Sequence, residues 1–273
     1  MNKLFDLKNK VAIISGGNGV LGGAMAKGLA KAGATVGILG RTKETVDETV
    51  KSLQSQTDTS SAFPLVCDVL DKEQLHEVHH EVVDAYGKLD ILINAAGGNL
   101  PGATINPDQS ILDLDDDEFQ KVIDLNFMGT YLPTKIFCEQ MIKQNSGSVI
   151  NISSMAAALA ITRVMGYSAA KSAVDNFTRS LATEMALKYG DGIRVNAIAP
   201  GFFIGKQNKR LLLNEDGSLT DRGQSIIDNT PFKRFGKEEE LIGTAIWLSS
   251  DASSFVTGTV IPVDGGFSAF SGV

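Results

Sequence analysis

The sequence predicts an α/β fold: one doubly wound parallel sheet with helices on both faces and a small insertion late in the chain. Three observations predict it. Short apolar runs that do not alternate with polar residues recur along the 273 residues, as strands buried on both faces require. Stretches with helical spacing separate these runs, so each strand-to-strand step has room for a right-handed crossover. No repeat, low-complexity segment or linker breaks the rhythm, and the whole chain, 1–273, reads as one domain.

The elements follow in order. Residues 11–14 form a first strand that ends in a glycine-rich turn. Leu21, Met25 and Leu29 give residues 21–32 a helical stripe, which Gly33 ends. A strand at 35–39 and a helix at 42–54 follow, with Thr42 as its N-cap. Strands at 63–66 and 89–94 flank a helical stretch that carries His76, His79 and His80. Residues 115–144 read as one long helix, whose opening acids Asp115 to Glu118 suit a positive helix N-terminus. A strand at 149–152, a long helix at 167–189, a strand at 194–198, an amphipathic helix at 241–248 and a strand at 260–263 complete the sheet. Residues 202–235 depart from the rhythm, mixing Gly, Asn, Lys and Arg with an apolar Leu run, and read as an inserted lid.

Composition limits the function. Apolar residues are 43% of the chain, charged residues 21%, and the net charge is −7. That balance supports a large core and speaks against a nucleic-acid surface, while a local basic pocket for an anionic substrate remains open. Cys67 and Cys138 lack metal-ligand spacing and read as two reduced thiols. The first residues hold no apolar stretch long enough for a signal peptide, and no run reaches the ~18 apolar residues of a membrane helix. The expectation is a cytoplasmic protein without a membrane partner.

The first turn reads Ser15-Gly16-Gly17-Asn18-Gly19-Val20-Leu21-Gly22. Glycines there let backbone N–H groups approach a pyrophosphate, and the helix that follows offers its positive end. Ser15, Gly16, Asn18, Gly19, Val20 and Leu21 are thus candidate dinucleotide contacts. A free ribose 2′-hydroxyl usually meets a carboxylate about 20 residues further on. Here the second strand ends Gly40-Arg41-Thr42-Lys43, with no acid before Glu44. A guanidinium at Arg41 would pair with a 2′-phosphate, which favours NADP(H) over NAD(H). If Arg41 is only a solvated loop residue, the cofactor is NAD(H).

Tyr167 and Lys171 stand four apart on one helix face. An ammonium beside a phenol favours the phenolate and would bring the tyrosine toward working pH, as an acid/base for an alcohol–ketone pair requires. Ser154 follows the fifth strand at the crevice end and would hydrogen-bond a substrate oxygen. Asn126, a lone amide amid Leu125, Phe127 and Met128, would hold a water leading to Lys171. The three histidines lie on a mostly solvated helix face with Leu75 and Val78 inside, and no metal site is expected. Trp247 reads as core or interface.

These pieces together resemble the short-chain dehydrogenase/reductase family along nearly the whole chain. Besides the turn, they are Cys67-Asp68-Val69, Asn94-Ala95-Ala96-Gly97, Asn126, Ser154, Tyr167-Ser168-Ala169-Ala170-Lys171, Pro200-Gly201 and Val263-Asp264-Gly265-Gly266. The resemblance implies a Rossmann fold and a nicotinamide-dependent oxidoreductase. It implies Tyr167 as acid/base, Lys171 as its activator, Ser154 as carbonyl donor and Asn126 as relay. It places Asp68 and Val69 on the adenine, and Asn94, Ala95, Ala96, Gly97, Tyr167, Lys171, Pro200 and Gly201 along the cofactor, with Ile198 by the nicotinamide. Homotetramers or homodimers built on the long helices are usual in the family. Two positions depart from its pattern: Val20 replaces a glycine of the turn, and Gly205 stands where a threonine often pins the nicotinamide amide.

Finer stretches, among them the lid run from Leu211 to Thr220 and the ending Asp264 to Val273, are similar to the D-mannonate oxidoreductase (fructuronate reductase) branch. That similarity implies a sugar-acid substrate. A carboxylate needs a cation, and hydroxyls need polar partners. Gly98, Asn99, Arg163, Lys206, Asn208, Lys209 and Arg210 are the candidates. Another polyol, a keto-gluconate or an acyl carbonyl would suit the same chemistry. A non-catalytic sensor of nicotinamide redox state is the rival of another class.

Overall fold

A computed structural model describes residues 3–57, 61–205 and 208–272. Seven strands form one sheet: β1 Val11–Ser15, β2 Thr35–Gly40, β3 Ala62–Val66, β4 Ile91–Asn94, β5 Gly147–Ile152, β6 Ile193–Pro200 and β7 Val260–Val263. Their order is β3-β2-β1-β4-β5-β6-β7, and every pair is parallel. The winding reverses between β1 and β4, which opens a crevice at the C-terminal strand ends. The expected doubly wound sheet is what the chain adopts.

Strand periodicity feeds two cores. Ala12 and Ile14 of β1 face an apolar layer with Met25 and Leu29 of α1 (Val20–Lys31), Val46 and Val50 of α2 (Lys43–Gln56) and Ala245 and Leu248 of α9 (Ile242–Ser249). Val11 and Ile13 face the other layer, with Leu75 and Val82 of α3 (Lys72–Tyr86) and Ile136 and Phe137 of α5 (Gly129–Gln144). Successive side chains point to opposite faces, so a strand buried on both must be apolar throughout. Both cysteines lie in the second layer, where burial pushes each thiol up to about 12. Trp247 packs against the first layer, and its indole N–H donates to the Ala252 carbonyl at 3.2 Å.

Two local expectations need correction, and a third, Thr42, holds by position only. The long helix at 115–144 is two helices, α4 (Asp116–Ile123) and α5, joined by a π-turn over Asp124–Met128. The extra residue in that turn sits around Asn126, whose buried amide must find partners off the regular helix ladder. Thr42 occupies the N-cap of α2 without a capping side-chain bond, and its carbonyl instead accepts from the Thr45 hydroxyl at 3.0 Å. His79 is drawn into the core (3% exposed), edge-on to Phe137, because its position follows Leu75 and Val78 around the helix.

The segment between β6 and β7 leaves the sheet. It holds α7 (Lys209–Leu212) and α8 (Asp221–Asp228), which packs against α7 and is capped by the Thr220 hydroxyl accepting from the Gly223 amide. An isolated bridge between Phe203 and Gly236 closes its base. Among the described residues no helix is long and apolar enough to cross a membrane.

His79 has no hydrogen-bond partner at either ring nitrogen. Burial holds it below its ordinary value of 6.5, aided by His80, Lys143 and His76 and opposed by Glu139. The unfolded chain binds this proton below about pH 6.5 while the folded chain resists it, so stability is full above that pH and falls below it, by at most ~1.4 kcal/mol per pH unit. His79→Leu should flatten the melting temperature against pH between about 5 and 7. An unchanged slope in thermal melts would assign the acid sensitivity elsewhere.

Candidate active site

The crevice floor begins where β1 ends. Gly16 takes a left-handed φ of +65°, and a Cβ there would lie 2.8 Å from the Ala95 carbonyl oxygen. The Ser15 hydroxyl accepts from the Ala96 amide at 3.3 Å, so the turn and the strand-β4 loop are joined. A Cβ on Gly22 would stand 2.2 Å from the Gly16 oxygen, which lets the helix press on the turn. Gly19 is the N-cap of α1 and provides no capping side chain, so the first-turn amides of Val20 and Leu21 stay available to an anion. The close approach that the family pattern gives to a later glycine is met here by Gly22, with Val20 simply opening the helix. The Asn18 amide donates to Thr45 at 2.8 Å and straps the turn to α2. This cradle fits a pyrophosphate.

The far end of the cradle brings Arg41 and Asp68 together, 3.9 Å apart and well exposed (67% and 37%). A solvent-screened pair of that kind holds the guanidinium weakly, so it stays free to turn to a ligand. Val69 is buried beside Asp68. Asn94 ends β4 at the crevice, with its side chain turned into the interior. Its side chain is 1% exposed and its N–H groups donate to Thr134 at 2.8 Å and to Asn151, its register partner on β5, at 2.9 Å. The Asn151 amide in turn donates to Thr178 at 2.9 Å. The asparagine pair therefore ties the central strands to α5 and to α6 (Met165–Tyr189).

Ser154, Tyr167 and Lys171 meet above the end of β5. Lys171 is 3% exposed, donates to the Ile152 carbonyl at 2.7 Å and lies 5.6 Å from the Tyr167 ring centre. Burial pulls its ammonium down to about 8, with Asp175 working in the opposite direction. Burial pushes the Tyr167 phenol above its ordinary value, and a hydrogen bond with Ser154 works against that. The expected downward shift of the phenol is thus reversed in the free protein, because desolvation of the phenolate outweighs its neighbours. Asp175 and Ser153 belong to this site and were not foreseen. Ser153 donates a short hydrogen bond to Asp175, whose carboxyl burial raises and Ser153, Arg179 and Lys171 lower. The available signal was spacing: Asp175 stands one helical turn beyond Lys171 on the same face.

Asn126 is tied to the loop after β4 and to its own helix. Its Nδ2 donates to the Gly98 carbonyl at 2.6 Å and to the Val122 carbonyl at 2.8 Å, and its Oδ1 accepts from the Gly98 amide at 3.1 Å. The side chain thereby holds Gly98, and Oδ1 keeps a second lone pair. Gly97 fits between the two: a Cβ there would lie 2.7 Å from Asn126 Oδ1 and 3.3 Å from Lys171 Nζ. Gly201, after β6, is pressed on the Asp264 backbone, where a Cβ would approach to 2.7 Å, and Pro200 ends the strand beside Val263.

The substrate candidates divide. The Asn99 amide donates to Thr104 at 2.6 Å, and its Oδ1 is buried without a partner. Arg163 takes a left-handed φ of +78° and binds the loop after β4 through Ile105 and Asn106. Asn208 closes its own loop: its amide oxygen accepts from the Gly205 N–H at 2.7 Å and its amide nitrogen donates to the Phe203 carbonyl at 2.8 Å. That bond also occupies Gly205, where the family often has threonine. Lys209 and Arg210 are exposed, and Lys206 lies outside the described residues.

A parallel sheet with a glycine cradle at its switch point and a buried Ser–Tyr–Lys group defines a dinucleotide-dependent oxidoreductase. The family model described as enoyl-(acyl carrier protein) reductase matches residues 18–268. The chain belongs to the short-chain dehydrogenase/reductase family, whose members act on alcohol groups. It is 44% identical over 277 residues to the uncharacterized oxidoreductase UxuB of Bacillus subtilis, covering 98% of each. A Haemophilus influenzae structure with bound NAD, a candidate D-mannonate oxidoreductase, is 41% identical with a TM-score of 0.91 over 98% of both chains. A gluconate 5-dehydrogenase of Burkholderia cenocepacia, in complex with NADP and tartrate, is 29% identical with a TM-score of 0.86 over 98% of both.

Gly97→Ala tests the packing at the centre. The added methyl must displace Asn126 or Lys171, and a shift of that size should lower kcat by about 100-fold while thermal melting shows a folded protein. A kcat within a few-fold of the parent would mean the crevice absorbs the methyl without moving the lysine.

Proposed function

We propose that the protein interconverts a sugar acid and its keto form, D-mannonate and D-fructuronate above all, with NADP(H) as the preferred cofactor. The observation that carries the reading is the meeting of Ser154, Tyr167 and the buried Lys171 above the end of β5. The likeness to a candidate D-mannonate oxidoreductase over 98% of the chain supports the substrate. Residues 202–235 serve as the substrate lid of a single domain. A nicotinamide bound along the cradle would supply the hydride to the carbonyl carbon.

The chain's own residues do the rest. The Ser154 hydroxyl donates to the substrate oxygen and orients the carbonyl. Tyr167 delivers its phenolic proton to that oxygen as charge develops on it. The Lys171 ammonium stabilises the phenolate left behind, and Asp175 helps keep that ammonium charged. In the alcohol-oxidising direction the phenolate takes the proton back. Lys171 is charged below about 8, so kcat/KM for reduction should hold in acid and fall as pH rises through that value.

Arg41 supports NADP(H), since no carboxylate closes the end of β2 and its guanidinium is mostly exposed. The Haemophilus relative holds NAD, so NADPH and NADH are compared directly. Oxidation of either with D-fructuronate, followed by nicotinamide absorbance, tests the substrate. Arg41→Ala should raise the KM for NADPH about tenfold and leave that for NADH unchanged, and equal effects on both would remove the 2′-phosphate role. A cofactor-binding protein that oxidises neither nicotinamide with this keto acid would defeat the substrate assignment in favour of another polyol or keto acid. Tyr167→Phe should cut turnover by about 10²–10⁴-fold with cofactor affinity intact. A redox sensor would show no such loss.

Assembly into two or four copies fits the α5–α6 surface. There Phe127 and Tyr131 stack edge-on to Phe177, and Leu187 is 79% exposed.

A further inference from the structure

Arg222 has no role in the mechanism above, yet it is the residue through which the insertion reaches the catalytic loop. It lies in the first turn of α8 and is partly buried. Its Nη1 donates to the Thr162 hydroxyl at 3.1 Å and its Nη2 to the Thr162 carbonyl at 3.1 Å. The next residue, Arg163, reaches the other way: its Nε donates to the Ile105 carbonyl at 2.7 Å and its Nη2 to Asn106 Oδ1 at 3.0 Å. The two arginines thus join the loop after β4, the loop after β5 and the insertion, the three segments around Ser154 and Tyr167.

Two guanidiniums in mutual range repel, and burial adds to the cost. Both effects are felt at Arg222, whose charged form is disfavoured first by burial and then by Arg163. No ion pair relieves them, since no carboxylate is bridged to either residue among the described residues. Each uses two of its five N–H donors in these bonds, which leave Nη1 of Arg163 and Nε of Arg222 unused. Arg163 also holds a left-handed backbone that a residue other than glycine rarely adopts, a form of strain that gathers at ligand sites. An anion between the two would remove the repulsion and fill the donors.

We propose that Arg163 and Arg222 form a two-guanidinium clamp for the substrate carboxylate, an assignment that rests on the sugar-acid reading above and adds Arg222 to it. Arg163 stands four residues before Tyr167, in the loop that leads into α6, and its side chain is turned to the loop after β4. That suits a substrate whose carboxylate is at the far end of the chain from its keto group.

The test compares D-fructuronate with D-fructose, which has a hydroxymethyl group in place of the carboxylate. Steady-state kinetics are run on the full-length protein, on Arg222→Gln and on Arg222→Lys, with D-mannonate affinity by calorimetry. Arg222→Gln should raise the KM for D-fructuronate about tenfold or more with little change in kcat, and weaken D-mannonate to match. It should leave kcat/KM for D-fructose and the affinity for NADPH as they were. Arg222→Lys should fall between, because it keeps the charge and loses the fork. Equal losses on both ketoses would make Arg222 a mere staple and overturn the clamp, as would an unaltered KM. If Arg222→Gln melts early, Arg163→Gln carries the same comparison. A parent protein that prefers D-fructuronate while the variants match it defeats the clamp alone. A parent that shows no preference for the acid over D-fructose defeats the sugar-acid reading with it.

Discussion

A lysine ammonium that is 3% exposed has to be held by charge and hydrogen bonds, and much of this molecule is arranged to hold one. Lys171 takes the last carbonyl of β5, so the strand must end where α6 passes. Asp175 lies one turn along the same helix and is itself steadied by Ser153, the first residue after that strand. The position of β5 against α6 therefore sets the charge state of the lysine. Tyr167 lies on α6 and Ser154 two residues past β5, so the strand–helix packing sets these side chains together with the lysine.

The sheet is braced for this by polar side chains in an otherwise apolar interior. Asn94 and Asn151 face each other across β4 and β5, and their amides reach Thr134 on α5 and Thr178 on α6. Such groups cost stability unless paired, and paired they fix one register. The π-turn at Asp124–Met128 extends the brace. It turns Asn126 toward Gly98, which holds the loop after β4 beside the lysine at the point where only a glycine, Gly97, fits.

The insertion is attached more lightly. One bridge closes its base, and Arg222 fastens α8 to the loop that leads into Tyr167. A wall that carries a cation and is held by few bonds is able to respond to an anionic ligand, whereas the braced floor is not. Placing rigidity under the reacting atoms and adaptability over the substrate is consistent with one fold serving several sugar-acid substrates.

Much of this was legible in the sequence. The unbroken apolar runs, the glycine turn, the absence of an acid at the end of β2 and the Tyr167–Lys171 spacing depend only on neighbours along the chain, and they fixed the sheet, the family and the catalytic core. The long helix at 115–144 was misread because a π-turn is made by what an amide meets across space. His79 was misplaced because a helix face shows which side is apolar but not how far the core extends over its edge. The sequence marks Asn94 for the cofactor, Asn126 for the relay and Asn208 for the substrate, but an asparagine has several hydrogen-bonding groups and only its tertiary partners reveal which are used. The upward shift of Tyr167 came from burial, which no spacing discloses. Arg222 lies on α8, far along the chain from Thr162 and Arg163. Local pattern determined which chemistry the chain carries; only the folding of the insertion onto the catalytic loop decided which cations stand beside it, because that contact is made between segments distant in sequence.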